Sequence, residues 1–545
     1  MDLCAVAKVP VEEAVDQASI LPSRMVLTKK TKMDGSPDFR ARWCGGGHRD
    51  PRAGEYESYS PTALMVGHAM VLFLTVTLRL TLFVCDVSSA FLQGEDLPID
   101  RKLFMRVPNN LPKHASDYVR GWAGPGFRSD VVRIIKGIFG LSESPRLWYE
   151  RFRKVLREPG FREMKLFTCV FVLWHRTGEL AGRIRALMSI HVDDGLAAGD
   201  DTAEPVWTDL RARLTFGNWE MVGPEGRKFC GKVLSRTSPT VIEWSLNHYT
   251  VDIPLVTIAS GRDPASPLSP SELTELMRGN GAVGYAAKHG RHDLAYGVSR
   301  CQQSTPVATV ETLLELNQLI RRARQPAVWR LAAVSDDIMD IVFLAASDAA
   351  LGAMPRDGSQ AGMACCVGHP SVLDGPAPTT LLESSSQRIK RSIRSSMGVE
   401  IAAAGTALEH GEFLRCAFAE MVFCEFSLRR WREWACRWRL VLVVDAKCGF
   451  DSLNGLSPPQ DRRVAIDVAA LKETLSEPAN QATARWLPGP QHVADALTKR
   501  FGNAILKEVM ETNVWSLRET PEVRAERDRL RTLRKEAKAA RERAL

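Results

Sequence analysis

The sequence predicts a multidomain protein of mixed α+β and α/β class. Its 545 residues, 45% of them apolar and 25% charged, suffice for three to four globular domains. Two parts rich in apolar strands, one before residue 245 and one beginning near Ile341, flank a mainly helical stretch at 270–333. This composition excludes a wholly disordered, collagen-like or low-complexity chain.

The net charge and the cysteines indicate which partners and which cellular environment the protein can have. Lys and Arg number 72 against 64 Asp and Glu, so the formal charge is +8. A mild basic excess permits a nucleic-acid partner without proving one. The 12 cysteines have no metal-binding spacing, and the chain starts with no secretory signal. We therefore expect reduced thiols in an intracellular protein.

One apolar segment, 63–85, is long enough to span a bilayer. It contains His68 and Arg79, and Asp86 follows it directly. We interpret it as a buried helix that runs into a buried strand, not as a membrane span.

The remaining segments are predicted from their apolar periodicity and their Gly and Pro content. In chain order we expect a turn-rich region to Pro61, a loop at 107–128, a helix at 147–156, a strand–turn–strand unit at 186–198, a partly disordered Gly/Ser/Pro-rich region at 358–396, a helical run at 399–440 and a buried strand at 440–444.

A first set of carboxylates follows apolar strands. Asp86 ends one strand, and Asp193 with Asp194 lies at a tight turn between two others. Asp194-Gly195 alone has the composition of an ordinary hairpin turn, and a lone Asp86 is typical of a strand-end turn. Asp193 is the unexplained residue, because adjacent like charges beside a buried sheet need a cation. Hard carboxylate oxygens favour Mg²⁺ or Mn²⁺, and two such ions about 3.5–4 Å apart support phosphoryl transfer.

These carboxylates lie in motifs whose order and spacing resemble the reverse transcriptase of copia-type LTR retrotransposon Pol polyproteins. The matching segments, each with the family pattern, are Phe39–Arg42 (YKARLVA), Ser60-Pro61 (FSP), Asp86–Gly94 (DVxxAFLxG), Gly137–Glu150 (ALYGLKQAPRAWYE), His191–Asp194 (YVDD), Phe229–Gly231 (FLG) and Gly284–Ser299 (LLYLATRPDISYAVS). The departures are His191 for Tyr, Ser142-Glu143 for Lys-Gln and Trp43-Cys44-Gly45 for Leu-Val-Ala.

The resemblance implies a right-hand polymerase of fingers, palm and thumb. It implies that Asp86 and Asp193 hold two metal ions with the Val87 carbonyl as a further ligand, and that Asp194 tunes the site. The implied substrate contacts are Arg42 or Arg40 to the triphosphate, Phe91 to the sugar, and Pro145 and Arg146 to the templating base. The alternatives are a solvated hairpin for the arginines, a core position for Phe91 and an ordinary helix start for Pro145-Arg146. Glu143 is expected to place a negative charge near the incoming nucleotide.

A second set of carboxylates lies in the last third of the chain. Asp348 and Asp445 end apolar strands, Glu400 opens a helix, and Asp495 lies in His492–Lys499. Each of these carboxylates alone is also explained as an ordinary turn residue, a residue of the first helical turn or a helix residue. Together they resemble the D-E-D-D set of the ribonuclease H domain that follows reverse transcriptase in this family. Two segments carry the resemblance, Ser395–Ala402 (SSTEAEYIA) and Trp486–Lys499 (VPTEEQLADILTK), whereas the segments at Asp348 and Asp445 match less well.

The resemblance predicts the organisation of the whole chain. The predicted parts are fingers and palm at 1–245, a mostly helical thumb and connection at 246–335, a ribonuclease H-like mixed-sheet domain at 336–500 and a charged helical tail at 501–545. Nucleocapsid, protease and integrase motifs are missing, which suggests the carboxy-terminal part of a polyprotein or a truncated relic.

The implied activity is RNA-directed DNA synthesis with ribonuclease H, which copies element RNA into cDNA using two Mg²⁺ or Mn²⁺ ions per site. The implied partners are an RNA template, a DNA primer, RNA–DNA hybrid, dNTPs and other polyprotein products such as capsid and integrase, with no membrane. The implied location is cytoplasmic and particle-associated, or nuclear. The alternative is a decayed product that binds nucleic acid without catalysis. A generic two-metal nuclease explains neither the 137–150 motif nor the aromatic residue after Asp86.

Overall fold

The computed structural model describes residues 5–13, 15–31, 36–455, 461–500, 502, 504–525, 528–529 and 532. The chain divides into two compact units, each assembled from separate segments of sequence. The first unit comprises Met1–Leu64, Phe83–Trp174 and Ile184–Glu220, and the second comprises Met65–Leu82, His175–Arg183 and Met221–Leu545.

A six-stranded sheet forms the centre of the first unit. Its strands in spatial order are Phe216–Met221, Thr81–Val87, Asp194–Gly199, Ile184–His191, Val170–Trp174 and Arg162–Glu163. Because the central strands are apolar on both faces, helices cover them, and the apolar side of helix Ser144–Arg157 supplies Trp148, Phe152 and Val155 to the core.

The first unit holds two smaller sheets and two further helices. A four-stranded sheet has the order Val6–Ala7, Val131–Ile134, Phe104–Arg106 and Ile20–Leu21, a two-stranded hairpin pairs Ser23–Thr31 with Pro37–Gly45, and the further helices are Lys113–Ala123 and Glu204–Arg213.

The second unit contains an antiparallel four-stranded sheet and a group of helices. The strands are Arg227–Phe229, Lys232–Ser238, Val241–Ser245 and Val328–Ala332, and the helices before residue 340 are Met65–Thr77, Asn247–Thr250, Pro270–Lys288, Ala295–Ser304 and Val310–Ala323. The helix expected within 63–85 is confirmed as Met65–Thr77, and all its residues from Val66 to Thr77 are buried.

A mixed six-stranded sheet completes the second unit. Its spatial order is Ala482–Trp486, Arg439–Val444, Val342–Met354, Gly358–Gly368, Ala377–Arg388 and Val514–Trp515. The first three strands are parallel and the others antiparallel. The accompanying helices are Ser396–Val422, Trp431–Ala435, Lys447–Asn454, Ala465–Ser476 and Ile505–Thr512. The first of these packs across the strands, where Phe418 meets Phe343 and Trp438.

Two sequence-based expectations about order are wrong. The Gly/Ser/Pro-rich region 358–396 is not disordered, because it forms the two long strands Gly358–Gly368 and Ala377–Arg388. Its polar side chains find partners inside the fold: Ser386 Oγ donates to Leu497 O, and Thr380 Oγ1 donates to Ala332 O at 2.7 Å. The predicted loop at 107–128 contains the helix Lys113–Ala123.

The predicted tail at 501–545 lies partly outside the described residues. Its described part holds the helix Ile505–Thr512 and the strand Val514–Trp515. Among the described residues, no helix has the length and apolarity needed to cross a membrane. The cysteines among them are free thiols.

Candidate active sites

The turn between two central strands of the first unit presents Asp193. His191 pairs with Asp194 across the hairpin, so the two-residue turn is Val192-Asp193 and the alternative turn at Asp194-Gly195 is wrong. Val192 has a φ of 63°, a left-handed conformation that is costly for a β-branched residue. The indole Nε1 of Trp148 donates to Val192 O at 2.6 Å and so holds this strained turn.

Gly195 follows the turn because the strands approach closely there. A Cβ on Gly195 would lie 2.7 Å from Cys85 Sγ and 3.0 Å from Met188 Cε. Cys85 is fully buried, and burial, followed by the neighbouring charges of Asp194 and Asp86, raises the pKa of its thiol. The glycine at position 195 therefore reflects close packing against Cys85 and Met188, and not a position in the hairpin turn.

A backbone hydrogen bond joins Asp193 to Val87, the residue that follows Asp86. The Val87 N–H donates to Asp193 O at 2.9 Å, which fixes the end of strand Thr81–Val87 beside the turn. Both carboxylates line one open cavity of about 480 Å³. The same cavity is lined by further predicted site residues, namely Arg40, Arg42, Val87 and Phe91. Asp194, Pro145 and Arg146 do not line it.

Aromatic rings form one wall of this cavity. Phe91 is half-buried and meets Phe139 edge-on, with 5.6 Å between ring centroids. The guanidinium carbon of Arg42 lies 5.3 Å from the centre of the Phe139 ring. This cation–π contact places the Arg42 charge on the aromatic wall that Phe91 continues.

Gly217 was missed by sequence reasoning. A Cβ there would lie 3.0 Å from Asp86 Oδ2 and 2.9 Å from Ser88 Oγ. The absent side chain therefore leaves the room that the Asp86 carboxylate occupies. A lone Gly in Phe216–Met221 carried no sequence signal for this role.

Glu143 does not face the cavity, which corrects the expectation of a negative charge beside the nucleotide. Its side chain is 6% exposed and accepts from Arg101 Nη2 at 2.9 Å and Nε at 3.1 Å. The same guanidinium pairs with buried Asp50 and lies 4.5 Å from the Tyr56 ring centre. Neither Asp50 nor Arg101 stood out in the sequence, because both lie outside the matched motifs.

Pro145 and Arg146 begin the helix Ser144–Arg157. The Ser60 hydroxyl donates to Pro145 O at 3.1 Å, and Arg146 pairs with Glu150 at 2.6 Å and Glu57 at 3.6 Å. Their proposed contact with a templating base stays a prediction.

The second set of carboxylates converges in the second unit. Ser347 pairs with Val444 in the parallel register, so Asp348 and Asp445 follow adjacent positions on neighbouring strands. Glu400 lies in the first turns of helix Ser396–Val422, whose cap Ser395 accepts from Gly398 N at 3.1 Å. Oxygen atoms of Asp348, Glu400 and Asp445 all lie within 4.8 Å of one another.

Burial and the repulsion of neighbouring carboxylates disfavour the charged forms of two members of this cluster, Asp348 and Glu400. Burial, followed by the charge of Asp445, raises the pKa of the Asp348 carboxyl to about 7. Burial, followed by the charges of Asp348 and Asp445, raises the pKa of Glu400 to about 9. The three converging carboxylates of Asp348, Glu400 and Asp445 fit a hard divalent cation, which would stabilise the charged forms of Asp348 and Glu400.

Asp495 joins the cluster from a different side. A Cβ on Gly489 would lie 3.6 Å from Asp445 Oδ2 and 3.8 Å from Asp495 Oδ1, so both carboxylates border the same point. Thr498 Oγ1 donates to Asp348 Oδ2, and Lys499 Nζ pairs with Asp495 Oδ1. The sequence motif contained Thr498 and Lys499 but did not reveal these contacts.

Comparison with known proteins identifies the first part of the chain. Residues 9–216 match the family model described as reverse transcriptase (RNA-dependent DNA polymerase). These residues form a reverse transcriptase domain. The match covers both carboxylates and most residues that line the cavity of the first unit, but it ends just before Gly217.

Sequence relatives confirm the resemblance of the chain to copia-type Pol polyproteins. The retrovirus-related Pol polyproteins from transposons RE1 and RE2 of Arabidopsis thaliana are 26% and 27% identical over 320 residues, 56% of this chain. The chain spans 20% of the length of each. A solved structure, the foamy viral protease-reverse transcriptase in complex with RNA/DNA hybrid, is 11% identical over 85% of this chain and 51% of its own, with a TM-score of 0.44.

Proposed function

We propose that the chain is an RNA-directed DNA polymerase with an attached ribonuclease H, which copies retrotransposon RNA into cDNA. The proposed layout is fingers and palm at 1–245, thumb and connection at 246–335, a ribonuclease H-like domain at 336–500 and a tail at 501–545. The observation that carries the polymerase is the cavity of the reverse transcriptase domain, where Asp86 and Asp193 meet Phe91 and two arginines.

The residues of this cavity suit nucleotide addition to a primer. A guanidinium matches phosphate oxygens in paired hydrogen bonds, so Arg42 or Arg40 would hold the triphosphate. Asp86, Asp193 and the Val87 carbonyl would hold two Mg²⁺ or Mn²⁺ ions. Such ions, when bound, stabilise charge on the attacking and leaving oxygens. The primer 3′-hydroxyl then attacks the α-phosphorus, and pyrophosphate leaves.

Primer extension on an RNA template with Mg²⁺ tests the polymerase. We expect Asp193→Asn to abolish extension while template binding stays close to the parent, because affinity comes mainly from phosphate contacts. Asp201→Asn removes the same charge from an exposed position and serves as the control. Equal extension by Asp193→Asn and the parent would overturn the assignment. Template binding by a parent that extends no primer would favour the alternative of binding without catalysis.

The second carboxylate cluster supports the ribonuclease H part. Asp348, Glu400 and Asp445 converge within 4.8 Å, and Asp495 borders Asp445. Hydrolysis of a phosphodiester there would use water as the nucleophile, and the 2′-hydroxyl of an RNA–DNA hybrid would mark the strand to be cut. Exposed basic residues beside this sheet suit contacts with the hybrid backbone, and they are Arg388, Lys390, Arg391 and Arg394.

Separate inactivation tests the two-site arrangement. We expect Asp445→Asn to stop cleavage of RNA in a hybrid and to leave primer extension within a few-fold of the parent. Asp374→Asn, an exposed carboxylate of the same unit, is the control. Persistent hybrid cleavage would remove the cluster from the reaction, and a collapse of extension would contradict independent sites.

A further inference from the structure

A lysine lies among the carboxylates of the second cluster. Lys499 Nζ is 3.5 Å from Asp348 Oδ2 and 3.8 Å from Asp445 Oδ2, and it forms an ion pair with Asp495. The ammonium of Lys499 therefore lies within ion-pair distance of three carboxylates of the cluster.

The cluster has a Glu400 side and an Asp495 side, and Asp348 and Asp445 are shared by both. On one side, the oxygens of Asp348, Glu400 and Asp445 converge closely enough to share one ion. On the other side, the ammonium is paired with Asp495 and lies near Asp348 and Asp445. An ion placed among Asp348, Asp445 and Asp495 would share its ligands with the ammonium, and two cations at such a distance repel strongly.

Lys499 is also able to leave this position. Its side chain is 44% exposed, whereas that of Asp348 is 2% exposed. A flexible four-carbon stem lets an ammonium reach solvent by changes of rotamer alone. Asp348 cannot move as freely, because it lies on a paired strand and its carboxylate accepts from Thr498.

We propose that Lys499 is a resident cation of the carboxylate cluster, which holds Asp495 beside Asp445 and which a second divalent ion has to displace. The inference rests on the proposed ribonuclease H function and deepens it. Lys499 is a positioning residue here: one ion binds on the Glu400 side with the ammonium in place, and binding of the second ion requires the ammonium to move out.

Metal binding to the full chain tests this proposal directly. The double variant Asp86→Asn, Asp193→Asn serves as background, so that Mn²⁺ titrates the second cluster in isothermal calorimetry. We expect Lys499→Met to tighten binding of the second Mn²⁺ ion at least tenfold. Mn²⁺ should also raise the melting temperature, measured relative to EDTA, by more in Lys499→Met than in the background. The reason is that the metal-free cluster of this variant has lost the cation that stabilised it.

Two control variants separate charge from local structure. Lys499→Arg keeps the charge and should bind Mn²⁺ as the background does. Lys507→Met removes an ammonium that pairs with Glu511, four residues further along its helix, at 3.8 Å, and it should also match the background. If Lys507→Met tightened Mn²⁺ binding as much as Lys499→Met, the effect would come from net charge alone, and the proposal would be overturned.

The remaining outcomes distinguish this inference from the proposed function. Unchanged Mn²⁺ affinity in Lys499→Met, with hybrid cleavage still dependent on Asp445, would overturn the role of Lys499 alone. Unchanged Mn²⁺ affinity with weaker hybrid binding would assign Lys499 to a phosphate contact instead. Absence of Mn²⁺ binding in every variant would overturn both the metal-dependent ribonuclease H and the resident cation.

Discussion

Arg101 and Glu143 form a buried ion pair, with 2.9 Å between Nη2 of the guanidinium and Oε1 of the carboxylate. The two side chains are 2% and 6% exposed, and Asp50 pairs with the same guanidinium. Glu143 occupies the position of the Gln in the copia-type motif. Its negative charge is therefore paired with Arg101 inside the fold, and Glu143 does not line the cavity that contains Asp86 and Asp193.

This pair predicts that substitutions of its two residues differ widely in their effect on the free energy of unfolding. Arg101→Met leaves two buried carboxylates without their cation and should lower the free energy of unfolding by about 3–5 kcal/mol. Glu143→Gln should cost less, because Arg101 keeps Asp50. Urea unfolding of both variants and of the double variant measures the coupling. Arg52→Met, which removes an exposed pair with Glu55, is the control.

The same pair makes a kinetic prediction. Since Glu143 is directed at Arg101, Glu143→Gln should leave the KM for dNTP in primer extension within about twofold of the parent. A fall in KM of tenfold or more would mean that the carboxylate does repel the incoming nucleotide.

Phe91 is predicted to select the sugar of the nucleotide. A ring packed against the deoxyribose leaves no room for a 2′-hydroxyl, so Phe91→Val should raise incorporation of rCTP relative to dCTP at least tenfold, about 1.4 kcal/mol in relative transition-state binding. The measurement is single-nucleotide extension on one template. Phe152→Val, a buried core substitution, should lower stability without changing the ratio. An unchanged ratio in an active Phe91→Val would assign Phe91 to the core.

Gly217 provides a test of the room around Asp86. The Cβ of Gly217→Ala would lie 3.0 Å from Asp86 Oδ2 and should displace this carboxylate by a few tenths of an ångström. Because misplacement by about 1 Å can cost about a hundredfold in rate, we expect kcat for extension to fall at least tenfold. Gly121→Ala, at an exposed helix position with open space around it, is the control. Parent-like kcat in Gly217→Ala would show that Asp86 does not need its present position.

His292 is predicted to make stability depend on pH. Burial lowers the pKa of this imidazole from 6.5 to about 4, although Asp293 and Glu383 act in the opposite direction. The unfolded chain therefore binds the proton first as pH falls, and the folded state loses about 2 kcal/mol between pH 7 and pH 5 from this group.

Urea unfolding at pH 7, 6 and 5 measures this loss. His292→Asn should remove most of it, since its amide can still reach Ser384, whose Oγ lies 2.9 Å from His292 Nδ1. The exposed His114→Asn is the control. The same pH dependence in His292→Asn and the parent would assign the loss to other groups.

The sequence by itself determined the local elements and the identity of the carboxylates. Apolar runs ending in Asp predicted the strands before Asp86 and Asp445, because burial of alternate or continuous apolar residues depends on near neighbours. The order of motifs predicted the reverse transcriptase domain, which the family match confirms over 9–216. Roles of the individual site residues stay predictions.

Tertiary structure alone decided how charges are paired over long distances in sequence. Arg101 and Glu143 are 42 positions apart, and Thr498 and Asp348 are 150 apart. Neither periodicity nor spacing encodes such contacts, because they arise only when separate elements pack and exclude water from polar groups that then need partners. For the same reason the Gly/Ser-rich strands at 358–388 were mistaken for disorder: their polar side chains are stabilised by partners elsewhere in the fold.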